Sequence, residues 1–152
     1  MFYKNLDLAG ASLRDSEYVM ADAYDYGHLY VLMHEVARVA RKHKSKGRIA
    51  LSVHCENPEL IRVALEQVKA QWLTGLKAFD AARPTLSEKL AINEAAVLAS
   101  ATGCPLNLLH LSSREAVEAG TTLKKDCLQL DVMLEVTPHH LTLTDEIAGG
   151  AR

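Results

Sequence analysis

Residues 49–60 read IALSVHCENPEL and residues 105–116 read PLNLLHLSSREA, and these two stretches decide the fold. Each is an apolar run of strand length that ends in a histidine, His54 or His110, and passes at once into a helix start. A short apolar run bounded by turn residues fits a strand buried in a parallel sheet. Asn57 followed by Pro58 supplies an N-cap and a first-turn proline, and Ser112–Glu115 has the spacing of a capping box. In a βα repeat, a side chain at the C-terminal end of a strand faces the mouth of the sheet, where such folds keep their chemistry. Two neutral imidazoles aimed at one mouth are candidate metal ligands. The competing reading, for either one alone, is a hydrogen-bonded structural histidine.

Outward from these stretches, Leu29, Leu32, Met33, Val36 and Val39 recur at helical spacing and predict a helix from Tyr26 to about Lys46. RKHKSKG at 41–47 closes it, with cations and a glycine suited to a helix C-terminus. The first strand is expected over Arg48–Val53 and the next helix from Asn57 to about Gln71. LTGLKAF, 73–79, reads as a short strand or turn. Thr85–Glu88 has capping-box spacing and starts a helix ending at Gly103. A strand over Pro105–Leu111, a helix to about Lys125 and a strand over Leu130–Val136, stopped by Pro138, follow; TLTDE at 142–146 begins a further helix. Residues 5–25, polar and without periodicity, read as a long loop. Alternation of this kind gives an α/β fold with parallel strands and right-handed crossovers. Open sheets and (β/α)8 barrels are both built this way. A barrel needs about 250 residues, so 152 residues hold around half of one, as a single unit over 1–152.

A net charge of -2 offers no basic surface for nucleic acid or for an anionic membrane. No apolar run approaches the roughly 20 residues of a membrane span. MFYKNLDLAG lacks the charged start and apolar stretch of a secretory leader, so a cytoplasmic chain is expected. Cys55, Cys104 and Cys127 are an odd, widely spaced set that reads as reduced core thiols. His28, His34 and His43 lie in the first helix and read as surface or boundary residues.

Four stretches in order carry a resemblance: FYKN at 2–5, VHCEN at 53–57, ARPTLSEKLAI at 82–92, and LHLSS at 109–113 with EVTPHHLTLTDE at 135–146. Together they resemble the cyclic amide hydrolases of the amidohydrolase superfamily, the dihydroorotases, hydantoinases (dihydropyrimidinases) and allantoinases. The resemblance implies a (β/α)8 barrel with one or two metal ions, usually zinc, hydrolysing a cyclic amide C–N bond in a small cyclic ureide. VHCEN would end the fifth barrel strand and LHLSS the sixth, making His54 and His110 metal ligands. EVTPHH would end the seventh, with His139 and His140 structural or at the pocket rim. Tyr3 would be the tyrosine that hydrogen-bonds the substrate carbonyl and supports the oxyanion; the plainer reading is a terminal aromatic packed on the sheet. Arg83 and Glu88 would tie their loop to the next helix.

The resemblance also implies an HxH pair on the first strand and an aspartate on the eighth, and neither motif occurs in the expected setting here. The expectation is therefore a partial TIM barrel, roughly its fourth-to-seventh βα units, inactive alone. The alternative is a non-catalytic half-barrel that acts as an interaction module. Its unpaired strand edges would favour self-association, and a homo-oligomer is expected.

Overall fold

The computed structural model describes residues 25–144. The expected loop over 5–25, Tyr3 in FYKN, and Asp145 and Glu146 of TLTDE lie outside the described residues, Asp25 excepted. The elements are α1 (Tyr26–Lys42), β1 (Leu51–His54), α2 (Pro58–Ala70), α3 (Gly75–Ala81), α4 (Thr85–Thr102), β2 (Leu106–Leu109), α5 (Arg114–Asp126), β3 (Val132–Leu134) and α6 (Pro138–Thr142). The three strands form one parallel sheet in the order β1-β2-β3. The α/β class with parallel strands is the one read from the apolar runs.

Strand pleating sorts the sheet's side chains. Leu51, Val53, Leu106, Leu108 and Val132 are buried against Leu29, Met33 and Ala37 of α1, Ile92, Ala95 and Ala99 of α4, and Ala116 and Leu123 of α5. The residues that alternate with them, Ser52, His54, Asn107, Leu109 and Met133, point to the opposite face. The bottom of the sheet is clipped by Arg48: its Nε donates to Asp131 Oδ2 at 2.9 Å and its Nη2 to the Leu106 carbonyl at 2.7 Å. Contacts of this kind at the N-terminal end of the strands hold the sheet and leave the other end for chemistry.

Several local expectations are corrected. LTGLKAF is neither strand nor turn but mostly helix α3, which buries none of its residues. Thr85 does not cap α4, because Pro84 occupies the cap position and offers no side-chain acceptor. The cap of α5 is Ser113, one residue later than the spacing suggested, with its Oγ accepting from Ala116 N at 3.1 Å. The first helix stops at Lys42, and Lys44–Lys46 form a separate 3-10 turn. The last helix starts at Pro138, ahead of TLTDE. Asn57 does cap α2, accepting from Leu60 N, and Gly103 closes α4 at φ 70°, a left-handed turn that suits glycine. Cys55 and Cys104 are buried and Cys127 partly so; His28 and His34 are exposed.

Candidate metal centre

The sheet register poses a geometric problem for two strand-end histidines. His54, the last residue of β1, is level with Leu109, and His110 lies one residue further on. Pleating alone would send the two imidazoles to opposite faces of the sheet. His110 resolves this by taking φ 39°, a left-handed conformation rare for a side chain of this size. Such a conformation costs on the order of 1–2 kcal/mol and persists only where its surroundings fix it. The rings then meet, with His110 Nε2 at 2.5 Å from His54 Nδ1 and centroids 4.5 Å apart, tilted by 51°. Both histidines predicted from the sequence are brought together.

The structure adds a third group that the strand-end reasoning missed. One donor atom each from His54, Glu56 and His110 can be chosen so that all three lie within 4.8 Å of one another. The signal was present in the H-x-E spacing, since residues two apart on an extended chain share a side. His139 and His140 are not in this grouping; their rings contact each other at 4.4 Å, and His139 Nε2 lies 3.1 Å from Thr137 Oγ1.

The electrostatics favour a neutral imidazole at His54. Burial holds the His54 imidazole below its usual pKa, and the charge of His110 adds to that. Burial pushes the Glu56 carboxyl up; His110 and Arg83 pull it down, and Glu88 pushes it up. Burial also raises the Cys55 thiol far above its ordinary range, so the sulfur next to His54 in sequence remains a thiol and a poor ligand. Two imidazoles and one carboxylate form a donor set that suits zinc and neighbouring first-row divalent ions. Three protein donors also leave a coordination position open for a water or a substrate. The residues present fit a metal ion.

Arg83 and Glu88 separate in role. The Arg83 guanidinium stacks 3.6 Å over the Phe79 ring, whereas Glu88 turns away from its own helix start to bond Ser112 and Ser113.

No protein-family model matches the chain. It is 32% identical over 114 residues to an allantoinase of Deinococcus radiodurans, a match covering 75% of this chain and 24% of the relative. It is 33% identical over 112 residues to a dihydroorotase of Staphylococcus epidermidis, covering 73% of this chain and 25% of the relative. Its fold superposes on the L-hydantoinase (dihydropyrimidinase) from Arthrobacter aurescens with a TM-score of 0.74 and 29% identity, over 86% of this chain and 27% of that one. The chain thus spans about a quarter of the length of the curated relatives it matches.

Proposed function

Since the chain is a partial relative of the cyclic amide hydrolases of the amidohydrolase superfamily, we propose that it supplies one side of a zinc centre in a hydrolase that opens cyclic amide C–N bonds. The substrate would be a small cyclic ureide of the dihydroorotate or dihydropyrimidine type. The observation that carries this reading is the meeting of His54 and His110 against the parity of the sheet, with Glu56 beside them. On this reading the chain is a sector of a (β/α)8 barrel, its fourth-to-seventh βα units, with the face bearing Ser52, Asn107 and Met133 turned to the barrel interior. It turns over no substrate alone.

His54, His110 and Glu56 would hold the ion. When bound, zinc lowers the pKa of a water ligand toward 7 and polarises a carbonyl. The chain's own part is to keep His54 neutral by burial, so that its ring nitrogen offers a lone pair at neutral pH, and to aim His110 at it. Tyr3, on the resemblance alone, would donate its phenolic hydrogen to the carbonyl oxygen as negative charge develops there. The test is a calorimetric zinc titration of the chain beside His54→Ala and His110→Ala, with turnover of dihydroorotate, dihydrouracil, hydantoin and allantoin measured under added zinc or manganese. Binding lost in both variants, without turnover, is expected. Unchanged binding in either variant, or turnover by the chain alone, would contradict it.

One observation favours a second reading, a self-associating half-barrel. Among the described residues β1 and β3 each pair on one side only, and Met133 and Val136 are exposed, the kind of open edge that recruits another chain. Sedimentation at high concentration decides it: a homo-oligomer is expected, and a strict monomer removes this reading.

A further inference from the structure

The two turns that carry the histidines are gripped from one place. Ser87 and Glu88 are consecutive residues in the first turn of α4, and both side chains are buried. Ser87 holds the turn after β1: its Oγ accepts from Asn57 N at 2.8 Å and donates to the Asn57 carbonyl at 3.3 Å, while its own carbonyl accepts from Asn57 N at 3.1 Å. Glu88 holds the turn after β2. Its Oε1 accepts from Ser112 N at 3.0 Å and Ser112 Oγ at 2.9 Å, and its Oε2 accepts from Ser113 Oγ at 2.6 Å. Asn57 lies three residues beyond His54, and Ser112 two beyond His110. Asn57 and Ser113 are the caps of α2 and α5, so each grip also fixes a helix start.

A buried carboxylate is costly unless every oxygen is satisfied. Here both oxygens accept from donors of a single turn, 24 and 25 residues away in sequence. Salt-bridging a cation would have served stability at the surface; this arrangement instead locks the backbone just after the strained residue His110. We propose that Ser87 and Glu88 are positioning residues, a strut that sets the spacing of His54 and His110. The inference deepens the metal-centre reading, on which it rests for its consequence and not for its geometry.

The test uses the full chain without metal. Nuclear Overhauser cross-peaks between the His54 and His110 ring protons report the pairing, and those between the β1 and β2 backbones at Val53 and Leu108 report the sheet. Glu88→Gln and Ser87→Ala remove part of the grip without opening a large cavity, and Asp25→Ala, which removes the α1 cap, controls for general loss of stability. The ring cross-peak is expected in the parent and in Asp25→Ala and lost in Glu88→Gln and Ser87→Ala, with the sheet cross-peaks intact in all four. A ring cross-peak that survives in the strut variants, that is absent from the parent, or that vanishes equally in Asp25→Ala would overturn the proposal, as would joint loss of ring and sheet signals. Zinc affinity gives an independent readout, expected to fall by roughly 10- to 100-fold in Glu88→Gln, as for other groups that orient a ligand. If the parent binds no zinc while the cross-peaks behave as expected, the strut stands and the metal-centre reading falls.

Discussion

Trp72 and His110, at φ 54° and 39°, are the non-glycine residues with positive φ among those described, and their settings differ. Trp72 follows the C-cap of α2, where its N–H bonds the Lys69 carbonyl and that of Leu73 bonds the Val68 carbonyl. This is a Schellman closure, which normally takes glycine, and the indole is 90% exposed. The left-handed turn there ends a helix, and its hydrogen bonds are all within that helix end. His110 sits between the β2 ladder and a turn pinned by Glu88, and Leu111 N donates to the Glu135 carbonyl at 2.8 Å. Its conformation is fixed on both sides and delivers a ring to His54. Backbone strain at Trp72 is local; at His110 it is maintained by distant parts of the chain.

The largest effect expected from breaking the His110 side is that of Glu88→Ala. It leaves Ser112 N–H and two hydroxyls without their acceptor and should destabilise the chain by about 2–3 kcal/mol in urea unfolding; a loss below about 0.5 kcal/mol, typical of a surface site, would show that the turn is not pinned. Next, comparing His110→Gly with His110→Ala isolates the strain, since both remove the ring. The glycine variant should be the more stable by about 1–2 kcal/mol, and equal stabilities would mean that φ at 110 is relaxed. At Trp72 the same logic predicts that Trp72→Gly raises stability by up to about 1 kcal/mol. A loss there instead would reveal that the indole packs on something.

The smallest effect is in pH. His54 has its folded pKa held below the unfolded value near 6.5. Above that value both states are neutral and the residue contributes nothing. As pH falls below it, the unfolded chain takes up the proton first, and stability is lost until the folded pKa is passed. His54→Ala should therefore flatten the fall in stability below about pH 6.5, read as the urea midpoint against pH. Glu56, whose folded pKa is raised, acts with the opposite sign at lower pH. A steeper fall in His54→Ala would contradict the assignment.

The parts of this molecule legible in the sequence are those governed by neighbours in the chain. Asn57-Pro58 and Gly103 announce helix ends through their own conformational preferences, and the apolar runs before His54 and His110 announce buried strands. What was not legible depends on partners far away. Thr85–Glu88 has the local form of a capping box, but Pro84 takes the cap and Glu88 is claimed by Ser112 and Ser113. Helix α3 buries no side chain, so it leaves no apolar period to read. Glu56 lies past the strand end that His54 marks, and its carboxylate reaches the pair from the turn.

The proposed metal site joins His54, His110 and Glu56. X-ray absorption at the zinc edge of the chain loaded with one equivalent of zinc tests it most directly. Nitrogen and oxygen neighbours at about 2.0–2.1 Å are expected, with the multiple-scattering signature of two imidazoles, reduced to one imidazole in His54→Ala. Sulfur neighbours at about 2.3 Å, or failure to retain zinc at all, would contradict it.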